Sequence, residues 1–473
     1  MEGSEIYVGL DIGTTSIKVI IAEHVKGQVN IIGYGNTKSA GLNRGVIVDI
    51  DQVVATIKDA VKQAEQKASL SIEKVTVGIP ANLLQIEKCH GMVSVSNDNG
   101  SAREITEEDV FQVTQAALVQ NLPPERDVID IVPDEFIVDG FDGIKDPRGM
   151  VGVRMEMHAI MYTGPKTILH NIKKCIERAG LQVDGTVVAP LATAKLAMSD
   201  AEQDFGSIII DLGGGQTTAA VIHDHKLKYT YVDQEGGDYV TRDISVVLNT
   251  SIESAENLKR TYGYAMASLT SSEDVFPVQV VGKQEPEQIS EEYLAEIIEA
   301  RLRQVFMKIS HALNDVSALD LPGGIILTGG MAALPGIKEL AEEIFGVNVK
   351  VYIPQEMNLR FPSFAQVIGL VGYVTKQSEI EKLVKESQEN NIERVQQFKY
   401  NTNVESNNVE PVAPKSGIKL YTGSNNQKVT NEPVAQVKEE TKRPKVRDEK
   451  PKNNGEKLGI SQYFNNMIRN FFD

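Results

Sequence analysis

The stretch that decides the fold is residues 6–19, Ile-Tyr-Val-Gly-Leu-Asp-Ile-Gly-Thr-Thr-Ser-Ile-Lys-Val. Its first half is an apolar run that leads to Asp11, and a second apolar run begins after Thr15. This pattern predicts two buried strands joined by a tight turn. In the turn, Gly13 lets backbone N–H groups approach an anion, while the hydroxyls of Thr14 and Thr15 add donors. The turn is therefore a candidate phosphate-binding loop.

A second stretch, residues 207–221, repeats this plan in the other half of the chain. Ser-Ile-Ile-Ile leads into Asp211, a glycine-rich turn follows, and Ala-Ala-Val-Ile begins a new apolar run. The glycine and polar positions of this turn are Gly213, Gly214, Gly215, Gln216 and Thr217. One Asp-x-Gly turn alone is more often a simple hairpin than a ligand site. Two turns with matching flanks favour a duplicated clamp on one polyphosphate, in which Asp11 and Asp211 hold hydrated Mg²⁺.

A third glycine motif lies at residues 323–337. A strand-like run there ends in Thr-Gly-Gly, so that Gly329, Gly330 and Met331 offer bare backbone to a flat ring or an α-phosphate. Taken alone, the motif is as consistent with a plain strand-to-helix turn as with a ligand contact.

A short amphipathic helix is predicted at residues 255–263. Glu256 and Lys259, three residues apart, share one face of it and could contact a ribose or a purine edge. Taken alone, the two residues would be a solvated ion pair.

Composition narrows the class of protein. The 473 residues include 48 Lys plus Arg against 65 Asp plus Glu, and this formal net charge of −17 argues against a general nucleic-acid binder. No stretch reaches the ~18 to 20 uninterrupted apolar residues that a membrane-spanning helix needs. No secretion signal opens the sequence, so we expect a cytoplasmic location. Cys89 and Cys175 lack C-x-x-C spacing and predict neither a disulfide framework nor a cysteine metal site.

The chain divides into a body and a polar tail. Up to about residue 375, short β-branched runs alternate with helix-like segments in the manner of an α/β protein. From residue 376 to 456, Asn, Gln, Lys, Glu and Ser dominate. This composition predicts a disordered linker, because the segment buries too little apolar surface to offset its chain entropy. Residues 441–470 carry eight Lys and Arg against three Asp and Glu, a local charge of 8 − 3 = +5.

The last residues, 457–473, predict an amphipathic helix. Apolar residues recur mainly at spacings of three and four, with polar residues between them. They are Leu458, Ile460, Phe464, Met467, Ile468, Phe471 and Phe472. We expect the helix to anchor the protein at a membrane surface, because the basic run lies directly upstream of it. The alternative is that its apolar face docks on the body.

The order of the three glycine motifs is specific enough to indicate a family. Asp-Ile-Gly-Thr-Thr, Asp-Leu-Gly-Gly-Gly-Gln-Thr-Thr and Leu-Thr-Gly-Gly-Met resemble the phosphate 1, phosphate 2 and adenosine motifs of the actin, Hsp70 and sugar-kinase ATPase superfamily. Within it, the chain most resembles the FtsA family of bacterial cell-division proteins. The supporting stretches are residues 43–49, residues 236–244, the Ala-Glu-x-Leu-Lys helix and the amphipathic tail. The likeness covers about residues 5–375 and the last 16.

This resemblance implies an α/β, actin-like (ribonuclease H-like) duplicated fold with two subdomain inserts, a disordered linker and a C-terminal amphipathic helix. The implied parts are subdomain IA at 1–82 and 163–195, inserted subdomain 1C at 83–162, subdomain IIA at 196–234 and 306–375, subdomain IIB at 235–305, the linker at 376–456 and the tail helix at 457–473. Within the insert, the residue pattern predicts a strand at 92–96, a helix near 107–120, and separate strands at 127–132 and 136–138.

The same resemblance implies that the two halves close on ATP and Mg²⁺. Lys18 is placed like the lysine that reaches the β- and γ-phosphates in actin. The implied nucleotide contacts are Asp11, Gly13, Thr14, Thr15, Lys18, Asp211, Gly213, Gly214, Gly215, Gln216, Thr217, Gly236, Gly237, Glu256, Lys259, Gly329, Gly330 and Met331. Asp11 and Asp211 are the Mg²⁺ candidates, acting through water.

One position departs from the Hsp70-like and MreB-like members, in which a Glu before the Pro of the connecting helix helps to position the attacking water. This chain has Val188-Ala189-Pro190 there. Because alanine cannot orient a water molecule, we expect nucleotide binding with slow hydrolysis at best. ATP is then expected to act mainly by closing the cleft and favouring self-assembly.

The resemblance also implies partners. It makes the insert, 83–162, a self-association surface in filaments, and it places the docking site for the acidic C-terminal tail of the tubulin-like GTPase FtsZ in subdomain IIB. Arg301 and Arg303, which flank the apolar stripe of a predicted helix at 289–313, are the candidate contacts, and snorkelling surface arginines are the alternative. The implied function is a polymerising scaffold that tethers the FtsZ ring to the membrane at the division septum. The rivals are a small-molecule kinase of the same superfamily and a pilus-assembly actin-like ATPase.

Overall fold

The structure is a computed structural model that describes residues 5–97, 99–119 and 122–388. The predicted helix at 457–473, and the predicted linker beyond residue 388, lie outside the described residues. Among the helices that are described, none is long and apolar enough to cross a membrane.

The first half of the chain opens with an antiparallel meander and continues into a helix and a strand. Its elements are β1 (Glu5–Ile12), β2 (Ser16–Val25), β3 (Gln28–Lys38), the short pair β4 (Leu42–Asn43) and β5 (Val46–Ile47), α1 (Ile50–Ala68) and β6 (Lys74–Ile79). Asp49 is the N-cap of α1, because its carboxylate accepts a hydrogen bond from the backbone N–H of Gln52 at 3.1 Å.

An inserted domain follows β6. Its elements are β7 (Gln85–Ser94), β8 (Arg103–Glu104), α2 (Glu107–Leu118), β9 (Arg126–Val138), β10 (Phe141–Ile144), β11 (Val151–Gly152) and β12 (Arg154–Pro165). Four of the strands form an antiparallel sheet in the order β10-β9-β12-β7, and β8 pairs with β11. Val110 and Val113 of α2 pack with Phe136, Met155 and Met157 of the sheet to form the core of the insert.

The chain then returns to the first sheet. The returning elements are α3 (Lys166–Arg178), β13 (Gln182–Val188) and α4 (Ala189–Ala197). β6 runs parallel to β1 and β13 runs parallel to β6, which completes a five-stranded sheet in the order β13-β6-β1-β2-β3. The carboxyl ends of β1, β6 and β13 therefore lie along one edge of this sheet, where ligands bind in open α/β folds.

The second half repeats this arrangement. Its elements are α5 (Asp200–Phe205), β14 (Ser207–Leu212), β15 (Thr217–His223), β16 (Lys226–Asp233), α6 (Gly237–Val247), α7 (Ile252–Tyr262), β17 (Val275–Val278), β18 (Glu287–Ser290), α8 (Glu291–Asn314), β19 (Ile325–Thr328), α9 (Ile337–Phe345), β20 (Val349–Val351) and α10 (Ala365–Thr375). The sheet order β16-β15-β14-β19-β20 mirrors the first sheet, with the same antiparallel hairpin and parallel neighbour. The predicted actin-like duplication is thereby confirmed.

α10 crosses back to the first half of the molecule. The family resemblance implies that residues 306–375 belong to subdomain IIA, but α10 packs against α4 and against the strands of the first sheet. Ile20 and Ala22 of β2 lie in one apolar cluster with Val367 and Val371 of α10. A helix as apolar as Ala-Gln-Val-Ile-Gly-Leu-Val-Gly-Tyr-Val-Thr needs burial on most of its circumference, and the space between α4 and the sheet provides it.

A further helix occupies residues 379–388, where the sequence predicts the start of the disordered linker. Ser378 and Glu381 form a reciprocal cap at its start, since each side chain accepts a hydrogen bond from the backbone N–H of the other. Ile380 and Val384 lie in the core of the insert. The folded part of the chain therefore extends past residue 376, because local capping and two apolar anchors outweigh the polar composition.

Candidate nucleotide-binding site

An ion pair joins β1 and β2 beside the turn between them. Asp11, near the end of β1, is in register with Lys18 of β2, and Lys18 Nζ lies 3.1 Å from Asp11 Oδ2. Each side chain is only 7% exposed. The other Asp11 oxygen accepts a hydrogen bond from Gln366 Nε2 at 2.7 Å. Gly13 fits the turn because a Cβ at this position would lie 2.8 Å from the Ser16 carbonyl oxygen.

Asp211 occupies the corresponding place near the end of β14, where it is in register with Thr218 of β15. Burial, followed by the negative charge of Asp11, raises the pKa of Asp211 to about 6, although Lys18 opposes the shift. The two carboxylates therefore repel each other where the halves of the molecule meet. A divalent cation held between them through water would relieve this repulsion, so the donor set fits Mg²⁺.

The two turns are in direct contact. A Cβ built on Gly214 would lie 2.3 Å from Thr15 Cγ2, and one built on Gly215 would lie 2.6 Å from Thr14 Cγ2. Real Cβ atoms do not approach other atoms this closely, so only glycine allows the turns to pack as they do. The two glycine-containing turns predicted from the sequence thus meet face to face.

A small network missed by the sequence reasoning supports these turns. Asn82, just after β6, donates from Nδ2 to Gln216 Oε1 at 2.9 Å, and its own buried Oδ1 has no hydrogen-bond partner within the described ranges. The backbone N–H of Gly45 donates to Thr14 Oγ1 at 3.0 Å. Asn82 and Gly45, like Gln366, contact residues of the two loops that are distant from them in the sequence. Asn82 could have been found, because polar residues after parallel strands commonly line α/β clefts.

The third glycine motif lies beside the second turn. Gly329 has φ 90°, and a Cβ there would lie 2.3 Å from Asp211 Oδ1. Met331 lies close to Gly237, since a Cβ on that glycine would be 2.8 Å from Met331 Sδ. Gly330, in contrast, has nothing within 4 Å of the place where its Cβ would be. The predicted adenosine motif therefore adjoins the predicted phosphate motif.

The turn before α6 closes a small cavity with the second loop. The lining residues are Leu212, Gly213, Thr217, Gly236, Gly237, Val240, Arg301, Leu302, Val305 and Met331. Gly237 N–H donates to the Gly213 carbonyl at 2.9 Å, and Thr217 Oγ1 donates to the Glu235 carbonyl at 2.9 Å. The cavity thus brings together residues from all three glycine segments of the second half.

The predicted Glu256 and Lys259 pair lies beneath this turn. Lys259 Nζ is 2.6 Å from Glu256 Oε2 and donates to the Gly237 carbonyl at 2.9 Å and to Thr241 Oγ1 at 2.7 Å. Burial lowers the pKa of Lys259, although the negative charge of Glu256 opposes the shift. Lys259 is therefore a buried partner of the half-buried Glu256 and holds the Gly237 turn, so the pair is not the solvated ion pair that is the alternative.

Arg44 makes a second contact between the halves. Its Nη2 donates to Tyr239 Oη, and its Nη1 donates to Gln234 Oε1 at 3.4 Å. The guanidinium carbon also lies 5.5 Å from the centre of the Tyr239 ring, within reach of a cation–π attraction. Arg44 thus connects the loop after β4 to α6.

The two predicted FtsZ contacts are both engaged in ion pairs. The Arg301 side chain is 15% exposed, with Nε 2.6 Å from Asp243 Oδ2 and Nη1 3.1 Å from Glu235 Oε2. Arg303 is more exposed and pairs with Glu299 at 2.7 Å and Glu343 at 2.8 Å. Arg301 therefore borders the small cavity between the second turn and the start of α6, whereas Arg303 reaches the surface between α8 and α9.

The position that carries a Glu in Hsp70-like members is the start of α4. Ala189 is the first residue of α4 and is 3% exposed, and Pro190 lies in the first turn, where its missing N–H costs nothing. The methyl group of Ala189 offers no acceptor to a water molecule.

Comparison with known proteins assigns the chain to a family. Residues 208–369 match the family described as "Cell division protein FtsA", and residues 82–163 match the "SHS2 domain inserted in FTSA". The chain is 57% identical over 385 residues to Cell division protein FtsA of Enterococcus hirae, covering 81% of this chain and 86% of that protein. It is 41% identical over 381 residues to the protein of the same name from Bacillus subtilis (strain 168), with coverage of 80% and 86%.

Solved structures agree with the fold. A "PilM-PilN type IV pilus biogenesis complex" chain matches with a TM-score of 0.53 at 17% identity, covering 78% of this chain and 99% of that one. A likeness at this identity concerns the fold alone. Because the sequence relatives are matched over most of their length, the chain belongs to the FtsA family of actin-like cell division proteins.

Proposed function

We propose that the paired turns bind ATP with Mg²⁺. The observation that carries this proposal is the junction of the halves, where Asp11, Lys18 and Asp211 converge. The two turns beside them meet so closely that Gly214 and Gly215 leave no room for a Cβ. The backbone N–H groups of the turns would receive phosphate oxygens, and Lys18 would add a positive charge. Bound Mg²⁺ supplies the charge that neutralises phosphates and carboxylates together. Gly329 and Met331 would receive the adenosine.

Nucleotide binding would change the contact between the halves. Thr15 and Gly214 touch, so phosphate groups can lie between the turns only if the turns separate. Arg44 and Tyr239 are in contact across the same two halves. The distance between these side chains would therefore change when the halves move. ATP therefore acts in this proposal as a conformational ligand that sets the distance between the halves and favours self-assembly.

Binding is tested by titrating Mg·ATP into the full-length protein by calorimetry. We expect Asp211→Asn and Lys18→Met to weaken binding at least tenfold, since each removes a charge from the junction. Asp142→Asn, at an exposed position of β10, is the matched control and should leave the affinity unchanged. Unchanged affinity in both junction variants would contradict the site.

Hydrolysis should be slow because Ala189 cannot hold the attacking water. Phosphate release from the purified protein should stay far below one turnover per second, with or without vesicles. Turnover at tens per second would contradict this part of the proposal.

The cellular role we propose is that of a scaffold at the cytoplasmic face of the membrane, where it self-assembles and tethers the FtsZ ring at the division septum. The names of the relatives support a role in cell division. The basic run and the predicted helix at 457–473 support binding to a membrane surface. One such helix binds weakly, so attachment should depend on many copies in one assembly. Co-sedimentation with anionic vesicles, with and without ATP, tests this.

For the membrane test, a truncation before Leu458 should abolish sedimentation with the vesicles. Replacing Phe464 and Phe471 by Glu in the full chain should do the same, because it puts charges on the apolar face. Changing Asn465 and Asn470 to Gln is the control and should have no effect. Retention of vesicle binding by the Phe464 and Phe471 variant would refute the anchor.

Docking of the acidic FtsZ tail would require exchange of existing ion pairs. The tail would compete with Glu343 for Arg303, or with Asp243 and Glu235 for the less exposed Arg301. We expect Arg303→Glu to weaken binding of an FtsZ tail peptide more than tenfold. Arg301→Glu should also weaken it and should in addition lower stability. Unchanged peptide binding by both variants would remove these residues from the docking site.

A further inference from the structure

The outer face of the inserted domain brings two histidines and two glutamates together. His90 of β7 and His158 of β12 are direct partners across the antiparallel pair, and His158 is the direct partner of Glu135 on β9. Glu156 precedes His158 by two residues and therefore points to the same face. The alternate residues Met155 and Met157 are buried in the core, so the four polar side chains lie on the side away from it.

Distances within this group suit metal coordination. His90 Nε2 lies 3.4 Å from Glu156 Oε2, and one ligand atom from each of His90, Glu156 and His158 lies within 4.8 Å of the other two. Ligands bound to one tetrahedral zinc at about 2.0–2.1 Å are separated by roughly 3.3 Å. The side chains thus need only small rotations to share one ion.

Neighbouring groups orient two of the three ligands. Glu135 Oε1 lies 3.3 Å from His158 Nδ1, which leaves the Nε2 atom of that ring free to bind a metal. Arg154 Nε lies 3.1 Å from Glu156 Oε1, so the second oxygen of that carboxylate is the one that faces His90. Carboxylates that hold the far nitrogen of a metal-binding histidine are typical of zinc sites, where they fix the ring and raise its basicity.

Each of the two half-exposed imidazoles lies beside a carboxylate, His90 beside Glu156 and His158 beside Glu135. The cross-strand pairing of His90 with His158 brings these donors together on one face of the sheet. A mixed set of imidazole and carboxylate donors is one that binds divalent transition metals. We propose that His90, Glu156 and His158 bind one divalent transition-metal ion, with Zn²⁺ preferred, and that Glu135 is a positioning residue for His158.

The donor chemistry separates this site from the nucleotide site. Imidazole nitrogens favour Zn²⁺ and related ions, whereas Mg²⁺ prefers oxygen ligands and would stay with the Asp11 and Asp211 carboxylates. Both cysteines are buried and hence poor competitors for the ion. Across the described ranges, the group of His90, Glu156 and His158 is the one set of three such residues with ligand atoms this close.

The test is a Zn²⁺ titration of the full-length chain, produced without a histidine tag, in competition with a chromophoric zinc indicator and in excess Mg²⁺. We expect one competing site. His90→Ala and His158→Ala should each weaken it at least tenfold, and Glu135→Gln by about tenfold through loss of orientation. His170→Ala, an exposed histidine on α3, should leave it unchanged.

A second measurement guards against misfolded variants. Zn²⁺ should raise the melting temperature of the wild type and of His170→Ala, but not that of His90→Ala or His158→Ala, while all four show the same circular dichroism without metal. Absence of Zn²⁺ binding by the wild type would overturn the proposal. Equal affinity for Zn²⁺ in the wild type and in both histidine variants would also overturn it. The same holds if only a third variant, His223→Ala/His225→Ala, loses the site.

Discussion

Gly214 of the second turn lies against Thr15 of the first, so closely that a Cβ on Gly214 would fall 2.3 Å from Thr15 Cγ2. The two residues are far apart in sequence and belong to different halves of the molecule. Their contact shows that the duplicated turns face each other directly, with their carboxylates at the same junction. The exclusion of any side chain at position 214 is therefore a requirement of the fold as well as of the proposed site.

A methyl group at this contact should force the turns apart. We expect Gly214→Ala to lower the free energy of unfolding by about 1–3 kcal/mol, the usual cost of overpacking a close contact. Thr15→Ser in the same chain should restore part of the loss, because it removes the Cγ2 atom that the methyl group meets. Chemical denaturation followed by circular dichroism measures both.

The control for this prediction is Gly372→Ala in α10, where nothing lies within 4 Å of the would-be Cβ. Alanine is a better helix former than glycine, so this variant should be no less stable than the wild type. If Gly214→Ala matched it in stability, the close packing of the turns would be wrong.

Lys18 and Asp11 form a buried ion pair, and removing only one of its two charges should lower the free energy of unfolding. Lys18→Met leaves the Asp11 carboxylate without its positive partner, and we expect a destabilisation of about 3–5 kcal/mol in urea unfolding. Lys74→Met is the control, since its pair with Asp184 at 3.7 Å is exposed on both sides and should contribute little.

The double variant Asp11→Asn/Lys18→Met separates stability from binding. Removing both charges should recover most of the stability that the single change loses, because no uncompensated charge stays buried. The affinity for Mg·ATP should still be at least tenfold weaker than that of the wild type. Equal instability of the single and double variants would show that Lys18 acts through packing rather than through its charge.

The sequence was informative where local patterns decide the structure. The strand, turn and strand around Asp11 and Asp211 follow from apolar runs interrupted by glycine, and both turns form as predicted. The hydrogen bond from Gln366 to Asp11 joins residues 355 positions apart. No local pattern encodes such a neighbour, because it depends on α10 returning to the first sheet.

Two elements show where composition and residue preference mislead. Pro133 divides the predicted strands at 127–132 and 136–138, but β9 runs through it, because the register against β12 shifts beside Pro133 and a bulge accommodates proline. At residues 379–388, the polar composition of the whole segment predicts a linker, but the structure has a helix there. The signals of this helix are local: a Ser-x-x-Glu cap at residues 378–381, and the apolar residues Ile380 and Val384 four positions apart.

The helix at 379–388 should contribute measurably to the stability of the insert. Ile380 is 6% exposed, and Ile380→Ala should cost about 2–5 kcal/mol by removing buried methyl groups from the core. Ile252→Ala, at a position that is 55% exposed, should change the stability by less than about 0.5 kcal/mol. Equal denaturation midpoints for the two variants would mean that the helix does not pack on the insert in solution.

Asp130 of β9 is a buried carboxylate beside the same helix. It is 1% exposed; its Oδ1 accepts a hydrogen bond from the Ile131 N–H at 3.0 Å, and its Oδ2 has no partner among the described residues. Burial raises the pKa of Asp130 to about 6, with Lys385 opposing the shift and Glu381 adding to it. The folded protein therefore holds this proton more tightly than the unfolded chain does.

This shift makes Asp130 a source of instability at neutral pH. Above about pH 4 the unfolded chain releases the proton while the folded protein keeps it until about pH 6, so the contribution of Asp130 to the free energy of unfolding falls across that window. A rise of about two pKa units corresponds to about 3 kcal/mol. Asp130→Asn removes this titration, so its stability relative to the wild type should increase by about that amount between pH 4 and pH 7. Urea unfolding of both proteins at several pH values measures the difference, and a pH-independent difference would show that Asp130 does not titrate in this range.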